Sequence, residues 1–125
     1  MIILEKPFCN EEFFEVKTLE EIKNSPANST LVFEYCDSSL ELYSFCNRNS
    51  IPYAVKISDI KELIFCSNLG AKYVFCDKIN NAKDFQKIAD NYLLDTKIVM
   101  LIDSLDEIPS VVQYTIDAVK LKGNR

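Results

Sequence analysis

The chain contains no histidine. That removes the commonest general base, the Ser-His and Cys-His nucleophile pairs, and imidazole as a metal ligand. It has only two glycines, Gly70 and Gly123. A phosphate-cradling loop needs several, because backbone N–H groups must approach the ligand closely. Neither a P-loop nor a dinucleotide-binding fingerprint is therefore present. No apolar run nears the length of a membrane span; the longest covers residues 98–102. The start, Met1-Ile2-Ile3-Leu4-Glu5, lacks a basic leader and is not expected to act as a secretory signal. The five cysteines (Cys9, Cys36, Cys46, Cys66 and Cys76) are odd in number and include no CxxC pair, so they read as reduced core thiols of a cytoplasmic protein.

What is present is an ordinary globular composition. Hydrophobic residues at 48% and charged residues at 26% argue against disorder. The 125 residues suit one domain. A chain of this size buries about two thirds of its surface on folding, enough for a core without disulfides or metal. The net charge of −5 opposes nucleic acid and anionic membranes as partners. The one basic cluster, Lys120, Lys122 and Arg125, reads as a solvated tail.

Short apolar runs rich in Val, Ile, Phe and Tyr occur at residues 2–4, 31–35, 53–57, 73–76, 98–102 and 118–121, and each reads as a strand. The last five recur every twenty to twenty-five residues or so, the interval of a strand–helix–strand crossover, which makes parallel sheets. Between them lie helical stripes: Ile60, Leu63 and Ile64, with Gly70 placed to end that helix; Ala82, Phe85, Ile88, Ala89 and Tyr92; and Leu105, Ile108, Val111 and Val112, with Pro109 in a first turn. Thr18-x-x-Glu21, Ser38-x-x-Glu41 and Ser104-x-x-Glu107 each fit a capping box. Residues 98–102 carry no polar side chain and should be central; Glu34, Lys56 and Lys120 interrupt other strands and mark edges or strand ends. There is no linker, low-complexity run or strong internal repeat. The expectation is a single three-layer α/β/α domain over residues 1–125. It has a mostly parallel, five- or six-stranded, flavodoxin-like sheet. Residues 1–28 form a less regular N-terminal strand and helix with a polar stretch at 9–16, and residues 29–122 form the repeating β-α core.

Ligands of open parallel sheets sit at the carboxyl ends of the strands. There the sequence places Asp37 and Ser38, Ser58 and Asp59, Asp77 and Lys78, Asp103 and Ser104, and Lys120 with Lys122. Aspartates converging from different strand ends hold Mg²⁺ through oxygen; the competing reading is that Asp and Ser here only cap helices. From residues 30–122 the pattern resembles a response-regulator receiver domain, of flavodoxin-like fold. The matching positions are Asp37 after the first matching strand, Asp77 after the third, Ser104 after the fourth, and Lys120 or Lys122 closing the fifth. The resemblance implies Mg²⁺ binding and phosphate acceptance at Asp77. Glu34 and Asp37 are not adjacent and no proline follows the lysine, so the resemblance is to a pseudo-receiver that is not phosphorylated. The regular strand spacing also resembles half of a βα-barrel, in which Lys56 would attack a carbonyl as a small lyase or isomerase does; the competing reading is an edge lysine reaching water. Cys36 and Cys76 each adjoin an aspartate, which raises a thiol pKa, and are read as incidental thiols.

The main expectation is a non-catalytic regulatory or protein-interaction module in the cytoplasm. It would form a homodimer or bind a protein partner, and would need no cofactor. The alternative acid pocket comprises Asp37, Asp77, Asp103, Ser104 and Lys120, with Mg²⁺ as its ion.

Overall fold

In the computed structural model the described residues are 1–123, so Arg125 of the basic cluster lies outside them. The six apolar runs all form strands: β1 (Ile2–Ile3), β3 (Ser29–Glu34), β4 (Tyr53–Lys56), β5 (Tyr73–Cys76), β6 (Lys97–Ile102) and β7 (Ala118–Leu121). A seventh, β2 (Glu12–Glu15), lies in the stretch read as polar. Its Glu-Phe-Phe-Glu sequence has neither alternation nor β-branching, and it is recognisable only by its pairing with β3. Among the described residues the sheet therefore has seven strands rather than five or six, and residues 1–28 contribute two of them. Among the described residues five helices alternate with the strands: α1 (Leu19–Lys23), α2 (Leu40–Arg48), α3 (Ile60–Asn68), α4 (Ile79–Tyr92) and α5 (Ile108–Val112). None among the described residues is long and apolar enough to cross a membrane.

Local chemistry sets the helix starts. Thr18 and Ser104 form the capping boxes read from sequence. The Ser38 box does not form: a 3-10 turn over Asp37–Ser39 begins earlier, and the Ser38 hydroxyl lies 3.0 Å from the Cys36 thiol instead. α3 uses an unread pair, with Asp59 accepting from the Glu62 N–H at 2.9 Å and Glu62 reaching back to the Ser58 N–H at 2.8 Å. The ends are alike: Ser50, Gly70, Leu93 and Thr115 each take a left-handed backbone just after a helix. Glycine suits the turn at residue 70, where φ is +79° and a Cβ would displace the Asn47 side chain. The turn hydrogen bonds recur as well, Ile51 N–H to Cys46, Ala71 N–H to Cys66 and Leu94 N–H to Ala89, all at 2.9–3.0 Å. A structural repeat thus exists where the sequence shows little beyond Phe45-Cys46…Tyr53 and Phe65-Cys66…Tyr73.

Every strand pair is parallel, and the order is β1-β7-β6-β5-β4-β3-β2. From β2 to β7 the order is the order of the chain, without the reversal of a flavodoxin-like sheet. A one-way order with right-handed crossovers stacks every helix on the same face. The core agrees: Ile22, Tyr43, Cys46, Leu63, Cys66, Phe85 and Val111 from all five helices join one cluster with Leu31, Val55, Val74, Ile98 and Val119 of the sheet. Each such large side chain contributes about 1.5–3 kcal/mol. β6 is buried on both faces from Ile98 to Ile102, as its composition predicts.

Among the described residues the opposite face carries no helix. Its cluster is Leu4, Ala54, Tyr73, Phe75, Val99, Leu101 and Ala118, with Cys9, Phe13 and Val32 packed on it. The sheet covers this face by curling. β7 and β2 are five steps apart, about 24 Å along a flat sheet, yet the Lys120 ammonium sits 4.9 Å from the centre of the Phe13 ring. Phe13 also lies 6.1 Å from Tyr73 and from Phe75 of β5. The third layer expected over this face is replaced by the curl itself and by residues 4–11, which return from the end of β1 to the start of β2. The α/β class on a parallel sheet stands as expected; strand number, order and layering are those of a curled, barrel-like sheet with helices outside.

Candidate functional site

Strand parity decides which side chains reach the mouth of the curl. Val32 and Ala54 face inward, so Glu34 and Lys56, two residues on, also do, at the carboxyl ends of β3 and β4. Phe75 and Leu101 bring Asp77 and Asp103 to the same rim from β5 and β6, and Lys122 follows Lys120 from β7. The rim carries both signs of charge, in two pairs. Lys56 Nζ lies 3.3 Å from Asp77 Oδ2, and Lys122 Nζ 3.4 Å from Asp103 Oδ1. These pairs are one third or more exposed and are worth little in stability.

Of the residues selected from sequence, Asp77 and Asp103 share the rim but are paired separately. Asp37 lies outside it, accepting a 2.8 Å hydrogen bond from the Tyr35 hydroxyl. Burial and the adjacent carboxylate hold that phenol above its ordinary pKa. Ser104 is spent on its cap, accepting from the Asp106 N–H at 3.1 Å. Lys120 does not reach the rim and points into the interior. Among the described residues no three His, Cys, Asp or Glu are grouped to hold a metal ion. Capping describes Ser104; Asp37, Asp77 and Asp103 each have a separate side-chain partner instead.

A depression of about 270 Å³ opens between the ends of β3, β4 and β5, lined by Glu34, Tyr35, Lys56, Ser58, Glu62, Asp77, Lys78 and Asn81, together with Ile57. Glu62 is occupied with the start of α3, and Lys56 and Asp77 neutralise each other. α4 begins behind this depression at Lys78, with no side-chain cap and no acid in its first turn. The arrangement offers an amine and two carboxylates to a small polar molecule.

Two glutamates that sequence reasoning missed do more in the structure than the aspartates. Glu5 accepts from Lys120 Nζ at 3.4 Å and from the Leu121 N–H at 3.0 Å, both on Oε2. Glu11, at the amino end of the sheet, accepts from Tyr73 Oη at 2.6 Å, from Lys72 Nζ at 3.0 Å and from the Thr30 hydroxyl. Burial alone would raise the Glu11 pKa; the bonds from Thr30, Tyr73 and Lys72 outweigh it and hold the carboxyl below its ordinary value. Burial and that carboxylate together push the Tyr73 phenol upward. Neither glutamate stands in a periodic pattern. The only signal was Lys120 itself, a cation interrupting a buried strand and hence requiring a partner.

The thiols divide. Burial pushes Cys46 up to about 11 and Cys66 and Cys76 to about 12, as core thiols should be. Cys9 is half-buried, and Cys36, expected in the core, is exposed. Hydrogen bonds from Ser38 hold the Cys36 thiol below its ordinary value. No protein-family model matches the chain, and no curated protein matches it.

Proposed function

We propose that the chain is a non-catalytic regulatory or protein-interaction module that acts as a homodimer or on a protein partner. The observation that carries this reading is the open seam of the sheet. β1 and β2 are its two outer strands, each paired on one side only. Around them stand apolar side chains in water: Met1 at 44% exposure, Ile2 at 43%, Phe8 at 63% and Phe14 at 40%. Unpaired strand edges with apolar neighbours are surfaces on which a second chain docks. The pairing of the candidate aspartates adds support, since Asp77 and Asp103 have partners on the rim and Asp37 has one outside it. A cytoplasmic setting belongs to the same proposal and is supported by the burial of Cys46, Cys66 and Cys76 as core side chains. Light scattering over a concentration series, beside a Phe8→Ser/Phe14→Ser variant, tests it. The reading expects a dimer, or a co-purifying partner, that the variant loses. A monomer at every concentration, with the same partners recovered by both forms, removes it.

A second reading, a small lyase or isomerase working through Lys56, is favoured by the barrel-like strand order and by the place of Lys56 at the inner carboxyl rim. Borohydride in the presence of small aldehydes and ketones tests it, since a Schiff base at Lys56 is reduced to a stable adduct. A Lys56→Ala variant labelled as fully as the wild type eliminates it. Phosphate acceptance at Asp77, the third reading, is checked by intact mass after incubation with a small phosphodonor and Mg²⁺. An unchanged mass disposes of it.

A further inference from the structure

We propose that residues 4–11 form a strap that fills, from within the chain, an interior binding site for a small organic carboxylate, with Lys120 as its cationic anchor. This goes beyond the seam reading and concerns the inner face rather than the edges.

Lys120 is the one lysine buried in the inner face, its side chain only 10% exposed. A buried ammonium needs an anion, and Glu5 supplies it. Two donors converge on one oxygen of that carboxylate: Lys120 Nζ and the Leu121 N–H. A charged donor and a backbone donor directed at one carboxylate oxygen is how proteins hold the acid group of a ligand. Beneath it lies an apolar wall of Tyr73, Phe75, Val99 and Leu101, against which the strap lays Leu4 and Cys9. The Phe13 ring stands across from Lys120 and completes the enclosure. The site thus takes an acid group at the Glu5 position and an apolar or aromatic body at that of Leu4 and Cys9.

The strap is tied at one end by Leu4 and the Glu5 carboxylate and at the other by Glu11; between them its polar link to the rest of the fold is an exposed ion pair, Lys6 to Glu12 at 2.9 Å. Leu4 donates its N–H to Val119 at 2.9 Å, and Glu11 binds Tyr73 and Lys72. Between them Phe8 and Cys9 donate only to Glu5 of the strap itself, and Phe8 projects into water. Every other return between consecutive strands lays a helix of five residues or more against the outer core; among the described residues this one lays none. Segments with few bonds to the rest of a fold open locally, below the cost of global unfolding.

Amide exchange on the intact chain, followed by NMR and repeated with phenylacetate as probe, tests the proposal. The Leu4, Phe8 and Cys9 amides should exchange together and about 100-fold or more faster than Val99 in β6. Phenylacetate should shift the Leu121 and Phe13 amides and speed the exchange of the strap amides. Benzylamine, with a similar ring and opposite charge, should do neither. Glu5→Gln should bind phenylacetate about tenfold more tightly, because the internal competitor no longer reduces the competent fraction. Should that variant fail to fold, the wild-type titration decides alone. Strap amides that exchange no faster than Val99, shifts absent from Leu121, or an equal response to benzylamine each overturn the proposal. Because Phe8 also borders the seam, the exchange is followed at a concentration where light scattering shows the monomer, and the phenylacetate shift is read at Leu121, away from that edge; a failure under these conditions leaves the seam reading untouched.

Discussion

The two faces of the sheet are built on different terms. Outside, five helices set Tyr43, Leu63, Phe85 and their neighbours against the strands in one continuous core. Inside, a smaller cluster is enclosed by the curl of the sheet and tied at its two ends by single carboxylates, Glu5 at one and Glu11 at the other. The outer face is held by area, which degrades gradually. The inner face is held by a few directed bonds and by Phe13, so its integrity depends on individual residues and on pH.

Substitutions on the two faces sharpen this contrast. The largest loss is expected outside, from Phe85→Ala, which empties a fully enclosed site and should cost about 3–5 kcal/mol in denaturant unfolding. Phe13→Ala on the inner face should cost less, about 2–3 kcal/mol, because the ring is half-buried. It should also unprotect the strap amides, which Phe85→Ala should do only through global unfolding. A Phe13 variant that loses stability without altering strap exchange breaks the contrast.

Glu11→Gln should cost about 1–2 kcal/mol at neutral pH by weakening its bonds to Lys72, Tyr73 and Thr30. The cost should depend on pH. A carboxyl whose folded pKa lies below its unfolded value stabilises the fold above that unfolded value, and the contribution fades as pH falls through the folded pKa. The gap between wild type and variant should therefore narrow below about pH 4.5 in thermal melts; a gap constant from pH 7 to pH 3 contradicts this account of Glu11. The smallest effect is expected at the rim. Lys56→Ala breaks an exposed pair and should change stability by less than about 1 kcal/mol, an effect that 0.5 M salt largely removes.

The elements were legible where local chemistry sufficed. The unbroken apolar run of β6 announced a central strand, and the Thr18 and Ser104 boxes announced helix starts that formed as read. Ser38 misled because the 3-10 turn at Asp37 starts the helix before the serine can cap it. β2 was invisible because its stability comes from β3, not from Glu-Phe-Phe-Glu. The one-way strand order is a property of pairing between distant segments, and the curl follows from that order. A pocket of aspartates was a fair reading of strand ends in isolation; the structure gives each a nearer partner. Glu5 and Glu11 escaped notice because their partners lie more than a hundred and about sixty residues away in sequence, respectively.

The curl is the claim on which the inner face, the seam and the strap all rest, and nuclear Overhauser contacts between the Phe13 ring and the Lys120 side-chain methylenes test it most directly. The account predicts strong contacts between these two residues, one from β2 and one from β7, five strand steps apart. A Phe13 ring in contact with β3 alone, and a Lys120 side chain free in water, would contradict it.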